Sequence, residues 1–106
     1  MAKTLVFTGP EYADWDWQAP VSAAGRARTV DMLHRGAALA VEFDGEAYHA
    51  GAKAWARDRQ RDAELAGQGI LTLRLSFANL RDRPQWCRHR VKEALCARLP
   101  TLSADN

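Results

Sequence analysis

Glu42-Phe43-Asp44-Gly45 closes an apolar run, and His49, Asp58 and Arg61 follow it. If the run is a strand, alternation turns Glu42 and Asp44 to one side and Phe43 to the other, so two carboxylates share a face. Neighbouring carboxylates disfavour joint ionisation unless a cation or hydrogen bonds compensate. A hard cation such as Mg²⁺ is the natural compensation, because it prefers oxygen ligands, keeps several waters and can hold a scissile phosphate beside an activated water. The plainer reading of the same spacing is a solvated acidic face. His49 titrates near neutrality in its reference state, so it could exchange a proton at such a site or simply position Asp44. Asp58 and Arg61 stand at i and i+3, Arg57 and Arg61 at i and i+4, which makes a local ion-pair network the simple explanation. The functional one has Asp58 supporting the site and Arg61 or Arg74 contacting phosphate.

These side chains need elements to position them. Thr4-Leu5-Val6-Phe7-Thr8 reads as a short strand ended by Gly9-Pro10. Residues 11–27, with Trp15, Trp17, Pro20 and Gly25, fit a short helix, an extended arm or a loop, and 1–27 as a whole reads as an N-terminal arm or edge strand. Residues 28–34 alternate as a strand, Arg35-Gly36 is a turn signal, and 37–44 form a second, apolar strand, so a hairpin is expected. With a two-residue turn His34 pairs with Ala37, and Asp31 falls opposite Ala40 on the face of Glu42 and Asp44. Val30, Met32, Leu39, Val41 and Phe43 then take the core side. Asp31 and Glu42 become diagonal neighbours about 7–8 Å apart at the backbone, a gap that a shared divalent cation can bridge.

Residues 50–66 are rich in helix formers, with Trp55, Ala56, Ala63 and Leu65 or Ala66 near one side and Arg57, Gln60, Arg61 and Glu64 near the other. Gly67 and Gly69 end this helix, and residues 70–75 form a third strand that should run parallel to 37–44 through the helical crossover. Pro84, with Asp82 as N-cap, opens a final helix over 84–98 whose Trp86, Val91, Ala94 and Leu95 should cover the sheet. The expected architecture is α/β: a β-hairpin-α-β core over 28–98 in a single domain, followed by a tail over 99–106. Trp55 and Trp86 read as packing residues. Trp15 and Trp17 would share one side of an extended segment, as a core edge or as an aromatic platform for bases.

The 106 residues make one domain, large enough for a core but too small for separate catalytic and recognition domains. No run approaches the length of a membrane span and Met1-Ala2-Lys3 leads into too short an apolar patch for a signal peptide, so a cytoplasmic location is expected. Cys87 and Cys96 have neither disulfide-framework nor metal-ligand spacing and read as reduced thiols. The formal charge is only +2, yet twelve of the fifteen basic residues are arginine, the residue suited to bidentate phosphate contacts. A general Ala/Arg bias would give the same composition.

Taken in order, Val30-Asp31-Met32, Leu39-Ala40-Val41-Glu42-Phe43-Asp44-Gly45, His49, Asp58-Arg59-Gln60-Arg61-Asp62-Ala63-Glu64-Leu65, Gly69 and Leu73-Arg74 resemble the very-short-patch-repair endonuclease-like group and its bacterial nuclease-like relatives. That group belongs to the restriction-endonuclease-like superfamily with the PD-(D/E)xK site. The resemblance covers residues 28 to about 95. It implies a restriction-endonuclease-like core with a central mixed sheet, and a Mg²⁺-dependent DNA endonuclease (Mn²⁺ as substitute) of repair, homing or defence type. On that carry-over Asp31 is the first-strand metal ligand, Glu42 the acid of the (D/E)xK motif and Asp44 a further ligand, with His49 in proton transfer, Arg61 and Arg74 on phosphate, and Trp15 and Trp17 against the DNA. Asp44 stands where the motif has lysine, Val30 stands in place of its proline, and Glu11 is the one counterpart for an N-terminal glutamate. The alternatives are a nuclease toxin of the same fold, whose partner would be an immunity protein, and a nuclease-fold module that binds DNA or protein without cutting. A double-strand cut would need a homodimer or two sequential nicks.

Overall fold

The computed structural model describes residues 6–45 and 51–99. Its frame is a four-stranded mixed sheet in the order β1-β2-β3-β4, built from Asp16–Ala23, Arg26–His34, Leu39–Asp44 and Leu71–Ser76. The crossover from β3 to β4 is made by helix α1, Gly51–Ala66, and the two strands it joins are parallel, as the strand-helix-strand order requires. Helices α2 (Phe77–Asp82) and α3 (Pro84–Arg98) follow.

Two apolar clusters lie in the fold, one toward each helical layer. One gathers Met32, Leu39, Val41, Phe43 and Leu75 with Leu80 of α2 and Cys87 and Val91 of α3; Trp86, Ala94 and Leu95 pack against it, as the spacing predicts. The other gathers Ala19, Ala23, Val30, Leu33 and Ala40 with Leu65 of α1. β3 is apolar except at Glu42 and Asp44 because helices cover it on both sides.

The N-terminal third resolves an ambiguity. Val6 and Phe7 are buried, but the described part of the expected first strand is irregular, and Pro10–Tyr12 form a short 3₁₀ turn. The edge-strand alternative holds over Asp16–Ala23. β1 joins β2 through Ala24-Gly25, with φ of 53° and 73°, the two-residue turn in which both central residues are left-handed. An alanine in that conformation costs about 1 kcal/mol, so the local composition gives little warning of it.

The β2–β3 connection departs from the expected two-residue turn. Leu33 pairs with Ala40 and His34 with Leu39, so residues 35–38 make the turn. His34 Nδ1 accepts the Ala37 N–H at 3.1 Å, the Arg35 carbonyl accepts the Ala38 N–H at 3.1 Å, and Ala38 sits at φ 52°. The register moves by two residues, which preserves face parity. Ala40 therefore pairs with Leu33, and Asp31 lies beyond the last paired residue of β2.

Val30 corrects the parity argument in one place: it packs with Leu65, on the opposite side from Met32. The break lies at Asp31. Its carboxylate accepts the Phe43 N–H at 2.8 Å where a ladder carbonyl would, the paired residues of β2 and β3 stop at Met32 and Val41, and Gln18, the β1 neighbour, has φ 49°. At α3, the residue before Pro84 is Arg83, which takes the N-cap position without a side-chain cap bond, while Asp82 binds Arg81. Helix α2 is an addition, started by Ser76 Oγ accepting the Asn79 N–H at 3.0 Å.

Candidate active site

The acids of β2 and β3 lie under α1, and the helix side that meets them is charged. Asp58, Arg61, Asp62 and Leu65 follow the i, i+3, i+4, i+7 spacing of an inward stripe; Leu65 is fully buried and the three charged residues are partly so. Trp55, Ala56 and Ala63 are exposed, reversing the expected helix orientation, and Trp55 in particular is 63% exposed with Arg59 stacked 5.2 Å from its ring centre. The misleading signal was hydrophobicity. Only Leu65 follows the apolar rule; the other inward positions are set by charged partners on the sheet.

Glu42 is the one buried charged residue among those described. Asp31 lies close enough to perturb its carboxyl, and Arg61 stands 3.2 Å away. Burial, with a smaller contribution from Asp31, pushes the Glu42 carboxyl up to about 7, against the opposing pull of Arg61 and Arg74. Asp31 accepts N–H groups from Phe43 at 2.8 Å and from Gln18 at 3.1 Å. Arg61 also donates to the Thr29 carbonyl at 2.5 Å, which ties α1 to the irregular part of β2.

Asp44, one pleat further along β3, belongs to a second cluster. Arg74 of β4 donates to it at 2.9 Å, to both oxygens of Asp62 at 2.7 and 3.0 Å, and lies 3.8 Å from Asp58. Burial opposes the Arg74 charge, but the hydrogen bonds and fields of Asp62, Asp44 and Asp58 outweigh it and raise its pKa, so Arg74 is a fixed cation. The face thus holds two units side by side: a pair of carboxyls with one arginine, and three aspartates around another arginine. Asp62, which motif reading left without a role, is the best-bonded partner of Arg74.

Among the described residues no three His, Cys, Asp or Glu side chains are gathered as a metal site. The expected triad is divided: Asp31 and Glu42 are together, while Asp44 turns to Arg74. Asp31 and Glu42 still suit a hard divalent cation, which commonly takes one or two carboxylates and keeps its waters. His49 lies outside the described residues. Trp15 is buried in the α3-side core edge-on to His34, and Trp17 is half-buried against Phe43 on the same side, so both fill the core on the sheet face opposite the acids rather than offering a platform for bases.

Beside the carboxyl pair, Arg26, Ala27 and Arg28 of β2 and Arg57, Asp58, Gln60 and Arg61 of α1 line a groove of about 450 Å³. The chain is of the α/β class with a mixed sheet between helical layers, and no helix among the described residues is long and apolar enough to cross a membrane. No protein-family model, curated protein or solved structure matches the chain.

Proposed function

We propose that this protein is a metal-dependent DNA endonuclease of the PD-(D/E)xK kind, hydrolysing a phosphodiester by in-line attack of water. The observation that carries the reading is buried Glu42 beside partly buried Asp31, with Arg61 3.2 Å from the Glu42 carboxylate at the end of a basic groove. A solvated acidic face would keep its carboxylates apart and in water. Here Glu42 is buried within the field of Asp31, at a free-energy cost that a ligand cation would relieve.

Asp31 and Glu42 would hold Mg²⁺, with Mn²⁺ as substitute. The bound cation supplies charge to the phosphate oxygens and an acidified water. Asp31 is oriented by the Phe43 amide and Gln18, so its oxygens have little freedom to turn away. Arg61 balances the Glu42 charge and is the side chain positioned to exchange that carboxylate for a phosphate oxygen. Asp44, at the motif's lysine position, is neutralised by Arg74. Proton transfer would then fall to His49, as in the resemblance. Whether the biological setting is repair, homing, defence or a toxin with its immunity protein is a question for genomic neighbours.

The test is nicking of supercoiled plasmid in Mg²⁺ or Mn²⁺, with single-stranded, duplex, mismatched and branched DNA as further substrates. Cleavage should fall at least a hundredfold in Asp31→Ala, Glu42→Ala protein, the order expected when metal ligands are lost. Equal traces of cleavage by both proteins on every substrate would refute the reading.

A second reading, a nuclease-fold module that binds DNA or protein without cutting, is favoured by one observation: Glu42 and Asp44 already have arginine partners within the protein. Calorimetric titration with Mg²⁺ separates the two. The enzyme binds the ion with a heat that disappears in Glu42→Ala, and the module shows no carboxylate-dependent heat.

A further inference from the structure

The groove beside the carboxyl pair has a construction of its own. Alternation along β2 sets Arg26 and Arg28 two residues apart, about 7 Å, at its rim. On α1, Arg57 and Arg61 stand one turn apart, about 6 Å. Four guanidinium groups therefore form two short rows on facing elements. Asp58 is the one acid in the lining, and it lies near Arg74.

Their hydrogen bonding is incomplete. Arg28 is paired with Glu64, and Arg61 with Glu42 and the Thr29 carbonyl, yet Nε of both is shielded from solvent with no acceptor. Arg26 and Arg57 are exposed, and neither forms an ion pair among the described residues. A groove with this many donors and so few acceptors suits a ligand rich in anionic oxygens repeated along a line. It offers no aromatic ring and few acceptors with which to distinguish bases.

From this we infer that the groove is a backbone track for nucleic acid: Arg26 and Arg57 engage successive phosphates of one DNA strand, and Arg61 links the track to the Asp31–Glu42 pair. The choice of DNA as the polyanion rests on the nuclease reading. The track is independent of sequence, because its contacts go to phosphate and none to base edges. It sits on the opposite side of the sheet from Trp15 and Trp17, so contact with DNA does not involve them.

Fluorescence anisotropy of a labelled random-sequence duplex, titrated at several salt concentrations in EDTA, reads the track without cleavage. Arg26→Gln, Arg57→Gln protein should bind on the order of tenfold more weakly at low salt, and the slope of log affinity against log salt should shrink by about 2, close to one unit per lost phosphate contact. A control with the same charge change on the other helical layer, Arg83→Gln, Lys92→Gln, should keep the parent slope. An unchanged slope in the groove variant, or an equal loss in both, overturns the track. The two proposals fail separately: groove-dependent binding without metal-dependent nicking rejects the nuclease alone, and nicking without groove-dependent binding rejects the track alone.

Discussion

Glu42 is the residue at which sequence, packing and chemistry meet. Its folded-state pKa of about 7 lies above the ordinary 4.5, so folding is favoured by its proton. Below about pH 4.5 the carboxyl is protonated folded or unfolded; as pH rises through 7 the folded protein must ionise a buried group, and that stabilisation is lost. At about 1.4 kcal/mol per pKa unit the loss is roughly 3 kcal/mol. In EDTA, Glu42→Gln should therefore be more stable than the parent by up to about 3 kcal/mol at pH 8.5 and nearly equal to it at about pH 4, read from urea midpoints. A pH-independent difference would mean that burial of charge is not what the substitution removes. The acidic pair itself was open to inference from alternation, but the shift was not, because it comes from the layer that α1 places over Glu42.

At the scale of elements, α1 docks through charge as much as through apolar contact. Arg74 concentrates that contact, joining Asp44 of its neighbouring strand to Asp58 and Asp62 of the helix. Arg74→Ala removes the cation shared by three carboxylates, of which only Asp62 keeps another in Arg59, and should destabilise the fold by about 3 kcal/mol, measured by chemical denaturation. Trp55→Ala, by contrast, removes a mostly exposed ring and should change stability by less than about 1 kcal/mol. A large loss there would restore the packing role that its hydrophobicity suggested. Element positions were largely legible. α1, β4 and α3 lie within a residue of their expected bounds, because length, glycine stops and Pro84 are local signals. β1 and the four-residue turn were not, since alanines in the left-handed region at 24 and 38 carry no compositional mark.

For the whole molecule, β3 lies at the centre. Met32 and Val41 belong to the α3-side cluster, and Leu33 and Ala40, the next pair along the same two strands, belong to the α1-side cluster. The two layers should thus unfold together. Met32→Ala on one side and Leu65→Ala on the other should each cost about 3 kcal/mol, and each should move the tryptophan-fluorescence and far-ultraviolet circular-dichroism transitions by the same amount. Separate transitions would show that the layers are not coupled through the sheet.

The sequence by itself determined what depends on near neighbours: the α/β alternation, the parallel return of β4, the face parity of Glu42 with Asp44, and the order of motif residues on which the nuclease resemblance rests. Tertiary structure decided the rest. It ended the β2–β3 ladder before Asp31, gave Asp44 to Arg74 and buried Trp15 while leaving Trp55 in solvent. It also brought Arg26 and Arg28 to Arg57 and Arg61 as one groove. These outcomes turn on which charges find partners once α1 lies on the sheet. Burying an unpaired charge is expensive, so pairing across the layers overrode the apolar preference that a single helix displays on its own.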